Sequence, residues 1–435
     1  MTFGKFNVDY EQRIYNPERM RKYRLDRAHA ALKKYGLGAM IVYDYDNWRY
    51  LGYHTWHNYN RRRPGRYLLL IRDEGYPYLW KHDENRGEYQ LEPWLRDKMV
   101  LNMGVSVQMG LSLDDAWSEE QYRKQAEEIK RYLNKHKVAD LPVGIDCHFG
   151  LRTVTSLQKA GINLVDGNPA MAEARMIKNE DEIECLRTAG SIVESAFWEV
   201  AKALKPGLTE WQMCGVAAKA CYDQGAEELE GPSFMARSGP QYGHYQTGTG
   251  TDRVIRPGEL FVMDINGVSF QGYRTCFYRT FCVGDKPTEA QKEIYQAALD
   301  SQLAMENAIK PGLTNRQVTE ALMKKGKGRW YDGPTYPKPG IYYQGGLGGH
   351  ELGLASGDCG PGFGGPLDRP EANLRLEKGR VFAVEVGCMR CEEGGKWTYD
   401  GAKVENVGYV TDTGFEVFYR FPYKDLITVG LPGEY

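Results

Sequence analysis

The chain has almost no excess charge: 56 Lys and Arg stand against 58 Asp and Glu, a formal net charge of −2. That balance gives no global attraction to nucleic acid or to an anionic membrane surface, and neither is expected as a partner. No apolar run approaches the roughly 20 residues needed to span a bilayer. The segment Met1 to Asp9 lacks the apolar core of a signal peptide, so a cytoplasmic location is the expectation. The nine cysteines are odd in number and scattered, which fits reduced thiols better than a disulfide framework. Cys388 and Cys391 form a lone Cys-x-x-Cys with no second half, and read as two strand thiols rather than part of a zinc site. The Gly-rich stretches 344–350 and 357–365 lack the Gly-x-x-x-x-Gly-Lys-Ser/Thr order of a phosphate loop, and read as loops of close backbone approach.

What is present is enough apolar sequence for two cores: 42% of 435 residues are hydrophobic. The first part alternates helical and strand patterns: a helix from Pro17 to Tyr35, strands at 39–43 and 67–71, a helix near 118–136 and a strand at 143–146. This predicts an α/β domain over 1–170, followed by a second domain over 171–435 that opens on a long helix with an acidic first turn. Within the second domain Lys205-Pro206-Gly207-Leu208-Thr209 is echoed by Lys310-Pro311-Gly312-Leu313-Thr314. In both, a helix ends at Lys-Pro-Gly and a threonine caps the next, which suggests two related halves.

Two strand-like segments near the C-terminus carry a carboxylate in an apolar frame, Glu385 within 381–387 and Glu405 within 403–411. A glutamate in a buried strand is costly unless a cation or a proton meets it, so two on neighbouring strands suggest a site. Upstream, Leu260 to Asn266 and Tyr273 to Val283 form a predicted hairpin that would set Asp264 opposite Cys276. His350, after Gly348 and Gly349, is placed to approach as a ligand or a proton carrier.

Taken in order, these segments resemble the superfamily of methionine aminopeptidase, aminopeptidase P, prolidase and creatinase. The resemblance rests on Arg175-Met176-Ile177-Lys178 followed by Glu182-Ile183, on the strand ending at Asp264, and on Gly349-His350-x-x-Gly353-Leu354. It also rests on the Ala383-Val384-Glu385 and Val404-Glu405-Asn406 strands and on the dipeptide His244-Tyr245. It implies an α+β protein whose C-terminal half is a pita-bread fold behind an N-terminal α/β domain of the creatinase type. The implied metal positions are Asp264, Cys276, His350, Glu385 and Glu405, and the implied catalytic groups are His244, His350 and Glu385. Trp56, Arg61, Arg62, Arg63 and Arg66 make a candidate recognition patch, because guanidinium forks bind carboxylates and aromatic faces accept cationic groups. The resemblance further implies a homodimer acting on a small carboxylate-bearing substrate.

The departures from that pattern are informative. Cys276 stands where the family has a second metal aspartate, Gly357 replaces a later histidine, and Asn406 stands where an aspartate often follows the final glutamate. An ordinary dinuclear aminopeptidase is therefore disfavoured. The open states are one divalent ion (zinc, iron or manganese) or metal-free catalysis as in creatinase. The expected reaction is hydrolysis of a C–N bond in a creatine-like or Xaa-Pro-like substrate. The alternatives are a lyase of the dimethylsulfoniopropionate type, which the chain resembles along its length, and a binding protein that kept the fold without catalysis.

Overall fold

The computed structural model describes residues 15–52, 66–81, 92–101, 112–146, 150–229, 234–239, 250–325, 338–343, 348–355, 358, 360, 362–364, 370–393 and 397–431. The chain forms two compact units, Met1–Met176 and Ile177–Tyr435.

The N-terminal unit is built on strands β1 (Ala39–Val42), β2 (Tyr67–Ile71), β3 (Tyr78–Lys81), β4 (Met99–Leu101), β5 (Val143–Ile145) and β6 (Leu164–Asp166). They form a mixed sheet in the order β4-β3-β2-β1-β5-β6. Its helices are α1 (Pro17–Lys34), α2 (Tyr45–Tyr50), α3 (Asp115–Lys135), α4 (Leu151–Lys159) and α5 (Asn168–Met176). β1 and β2 are buried at every position, so both faces are covered and the strands read as continuous apolar runs rather than alternating ones. Ile41, Tyr67, Leu69 and Trp80 of the sheet meet Ile129 and Leu133 of α3 in one core. Helix α1 starts where Asn16 accepts a hydrogen bond from the Arg19 N–H with Pro17 at the first helical position, a strong local stop-and-start signal.

The C-terminal unit opens with α6 (Glu180–Ala203), capped reciprocally by Asn179 and Glu182, and continues into α7 (Glu210–Asp223). Its second half carries α8 (Glu289–Ala308) and α9 (Asn315–Lys325). The sequence echo is structural. Thr209 and Gln212 form a capping box at the start of α7, and Thr314 and Gln317 exchange the same two hydrogen bonds before α9. Gly207 and Gly312 hold the same left-handed backbone at φ 92° and 84°, which admits a following cap only because neither has a Cβ.

Strands β7 (Glu228–Leu229), β8 (Phe234–Ser238), β9 (Glu259–Ile265), β10 (Val268–Phe270), β11 (Tyr273–Arg274), β12 (Tyr278–Val283) and β13 (Gly340–Tyr343) follow in sequence. After them come β14 (His350–Glu351), β15 (Val381–Cys391), β16 (Trp397–Val410), β17 (Phe415–Val417) and β18 (Ile427–Val429). Two sheets carry the site strands, β18-β12-β9-β8 and β13-β15-β16-β17 with β14 added to β15, and β11-β10-β7 form a small third. Ala298 and Met305 of α8 pack with Val384, Val386 and Val404 of the second sheet in a common core.

The two site sheets are joined by side chains of β12. Thr280 Oγ1 donates to the Lys403 carbonyl at 2.9 Å and accepts from the Lys403 N–H at 2.9 Å, while Arg279 Nη1 donates to the Glu405 carbonyl. This seam brings carboxylates from separate hairpins into one place.

Candidate active site

The expected simple hairpin around Asp264 is interrupted. β10 and β11 turn away to pair with each other and with β7, so the ladder partner of Asp264 on β12 is Tyr278, and Cys276 lies in the irregular stretch before β12. The extra turn changes the register, which is why sequence spacing misplaced the pair. The second hairpin is continuous across the site, with its register shift further along between Met389 and Cys391, and sets Glu385 directly opposite Glu405. His350 pairs with Ala383 on the other side of β15. Gly349 before it is required: an added Cβ would lie 2.1 Å from the Ala383 carbonyl oxygen.

Cys276, His350 and Glu405 converge, each offering a ligand atom within 4.8 Å of the others. His350 Nδ1 lies 3.1 Å from the Glu351 carbonyl. A carbonyl can only accept, so Nδ1 carries the proton and the Nε2 lone pair is left to an ion. Asp264 and Glu405 are fully buried, and apart from the Cys276 thiol beside Glu405, neither Asp264 Oδ1 nor either Glu405 oxygen has a hydrogen-bond partner among the described residues. Buried acceptors without partners are expensive, and here several lie together.

The electrostatics carry the same signature. Burial pushes the Asp264 carboxyl up to about 7, opposed by Lys403 and by the Tyr278 hydroxyl, and raised further by Glu385. Burial, then the negative charges of Glu385 and Asp264, lift Glu405 well above the usual carboxylate range. The Cys276 thiol is raised by burial and by the same three carboxylates, Glu405 first. A divalent cation removes all three penalties at once. The set of thiolate, imidazole and carboxylate donors, with orphaned buried oxygens around it, therefore fits a metal ion.

Two residues in the site carried no motif in the sequence. Lys403 is buried, its ammonium 3.9 Å from Glu385 Oε2 and 4.3 Å from the centre of the Tyr278 ring. Tyr278 is buried on the ladder rung of Asp264. A signal for Lys403 did exist: two residues before Glu405 on one strand, it must share that face.

Behind His350, Glu351 turns to the opposite face and meets Arg380 in a fully buried pair, with Arg380 Nε donating to Oε1 at 2.8 Å. Burial pushes the Glu351 carboxyl up to about 7 against the pull of Arg380 and Lys178. Removing the guanidinium would strand this charge. Arg380→Met is expected to lower unfolding free energy in urea by about 3–5 kcal/mol, whereas an unchanged midpoint would show that the pair does not hold β14 in place.

The Creatinase/Prolidase N-terminal domain profile matches residues 24–177, and that of Metallopeptidase family M24 matches residues 184–412, more than half of the chain. The chain belongs to metallopeptidase family M24. It is an α+β protein with a pita-bread C-terminal unit and a creatinase-type N-terminal domain.

Among relatives, the uncharacterized peptidase YqhT of Bacillus subtilis is 28% identical over 268 residues, which cover 61% of this chain and 67% of YqhT. The probable dipeptidase PepE of Mycobacterium tuberculosis is 28% identical over 271 residues, 61% of this chain and 64% of PepE, so the match spans just under two thirds of that protein. Mouse Xaa-Pro dipeptidase is 31% identical over 256 residues, 53% of this chain and 50% of the mouse protein, about half its length. Of solved structures, Xaa-Pro dipeptidase from Bacillus anthracis superposes with a TM-score of 0.71 at 20% identity, over 94% of this chain and 100% of that one. Dipeptidase PepE from Mycobacterium ulcerans gives 0.70 at 22% identity, over 94% and 98%.

Among the expected site residues, His244, Trp56, Arg61, Arg62 and Arg63 lie outside the described residues. Arg66 is described and is buried just before β2, so it is not part of a solvated charge run. Cys388 and Cys391 are both buried free thiols on β15.

Proposed function

We propose that this chain is a C–N hydrolase of the Xaa-Pro dipeptidase type, acting on a small carboxylate-bearing dipeptide and using one divalent ion. The observation that carries the reading is the trio of buried Cys276, half-buried His350 and buried Glu405, whose ligand atoms lie within 4.8 Å of one another and whose Glu405 oxygens, the Cys276 thiol aside, have no hydrogen-bond partner among the described residues. Orphaned acceptors favour an ion over the metal-free alternative, and zinc suits the mixture of thiolate, imidazole and carboxylate best. A divalent ion held there would supply Lewis-acid polarisation of the scissile carbonyl.

The chain's own residues divide the remaining work. Glu385 is the site carboxylate with solvent access, its side chain 18% exposed while Asp264 and Glu405 are closed off, so Glu385 is assigned as the base that takes a proton from the attacking water. Lys403 sets a fixed positive charge beside it. With His350 committed to the ion, delivery of a proton to the leaving nitrogen falls to His244. At least one arginine among Arg61, Arg62, Arg63 and Arg66, with Trp56, remains the proposed contact for the substrate carboxylate, in a homodimer.

Assay of the purified protein with a panel of Xaa-Pro dipeptides, creatine and dimethylsulfoniopropionate tests the assignment. Proline release is the expected result. Dimethyl sulfide release without proline release would overturn it in favour of the lyase, urea release from creatine would move it to the creatinase reaction, and turnover of none would favour a binding role.

A further inference from the structure

We propose that Glu306, acting through Asn406, is a positioning residue that locks the two site glutamates onto their strands. The inference rests on the reading of Cys276, His350 and Glu405 as a metal site, and adds to it residues that never touch the ion.

Asn406 follows Glu405 on β16, so its side chain turns to the opposite face, where it is fully buried. Its amide spans two charges. Oδ1 accepts from Arg279 Nη2 at 2.8 Å, and Nδ2 donates to Glu306 Oε1 at 2.7 Å. An amide is suited to lie between a guanidinium and a carboxylate because it offers an acceptor to one and a donor to the other.

Both ends of this chain finish on the backbone of the catalytic strands. Arg279 Nη1 donates to the Glu405 carbonyl at 2.5 Å and to the Tyr278 carbonyl at 2.7 Å. On the far side, Glu306 Oε1 also accepts from Gln302 Nε2 at 2.8 Å, and Gln302 Nε2 donates to the Val384 carbonyl at 2.7 Å. Val384 is the ladder partner of Asn406, one rung from the Glu385 and Glu405 rung. The network therefore holds the carbonyl of one site glutamate and the carbonyl just before the other, and ties both to α8.

This arrangement accounts for a departure from the family pattern. An aspartate at 406 would pair directly with Arg279, but in this chain it would face the Glu306 carboxylate at hydrogen-bond distance. The counter-charge to Arg279 sits on the helix instead of the strand, and the asparagine relays it. Two like charges placed there would push β16 from α8, and Glu405 would move with it.

The test is a cycle of Asn406→Asp, Glu306→Gln and the double variant in the full chain, read by Co²⁺ titration and the thiolate-to-cobalt absorption band. Asn406→Asp is expected to weaken Co²⁺ binding by about 10- to 100-fold and to shift the band, the size of effect seen when an outer partner of a ligand is lost. Glu306→Gln alone keeps an acceptor and should show a smaller loss. The double variant restores one charge and one amide in exchanged positions, and should recover Co²⁺ affinity and the natural band. A double variant no better than Asn406→Asp, or an Asn406→Asp protein with unaltered binding and band, would overturn the proposal.

If Asn406→Asp does not fold, Gln302→Met cuts the link to Val384 while keeping bulk. It should shift the cobalt band, and an unshifted band would count against the network. Should the natural protein take up no cobalt at all, the metal reading fails separately. The positioning claim then stands if the fall in unfolding temperature in Asn406→Asp is recovered in the double variant, and falls if it is not.

Discussion

Replacing Cys276 by alanine is expected to weaken Zn²⁺ binding by at least about 100-fold, since losing a direct ligand exceeds the 10- to 100-fold cost of losing an outer partner. Dialysis against buffered zinc followed by elemental analysis should find one equivalent per chain in the natural protein and none retained by the variant. Cys276 is buried, with its sulfur beside a Glu405 oxygen and a His350 ring nitrogen. Lys403 already brings one positive charge to within 3.9 Å of Glu385, so a single divalent ion leaves less negative charge uncompensated than it otherwise would. Two equivalents of zinc in the natural protein would refute the one-ion centre. Retention of zinc by Cys276→Ala would remove the thiolate from it.

The pH dependence has a definite sign. Burial and the adjacent carboxylates raise the Cys276 thiol, so a proton must leave before the sulfur can bind the ion. Apparent zinc affinity should therefore rise with pH, by roughly tenfold per pH unit for each proton released. A flat profile across neutral pH would contradict thiolate ligation.

Exchange of Glu385 for glutamine is expected to lower kcat on an Xaa-Pro dipeptide by about 10²–10⁴-fold with an unchanged unfolding midpoint. The substitution keeps shape and removes basicity together with one negative charge. Glu385 tolerates it structurally because its side chain reaches solvent and because Lys403, its ion-pair partner at 3.9 Å, keeps the negative charges of Asp264 and Glu405 beside it. Glu405 makes the contrast: it is fully buried beside Cys276 and His350, so Glu405→Gln should show its loss in metal content rather than in kcat of the loaded protein. Normal turnover by Glu385→Gln would remove this residue from the mechanism.

Much of the fold was legible because its signals are local. Asn16 before Pro17, Thr209 before Gln212 and Thr314 before Gln317 announce helix starts through hydrogen bonds spanning three residues. The fully apolar strands 39–42 and 67–71 announced a sheet covered on both faces. The Glu385 and Glu405 pairing was legible because that hairpin is one continuous ladder across the site. The Asp264 and Cys276 pairing was misread because β10 and β11 join another sheet, and nothing within the hairpin's own spacing reports that.

By itself the sequence determined which segments run as apolar strands, where the capped helices begin, and that two carboxylates would sit in apolar strands. Tertiary structure alone decided that Cys276, His350 and Glu405 share one neighbourhood, that Lys403 is buried beside Glu385, and that Asn406 bridges Arg279 to Glu306. The reason is physical. Periodicity assigns a side chain to a face, but what that face meets depends on packing between sheets and helices far apart in the chain.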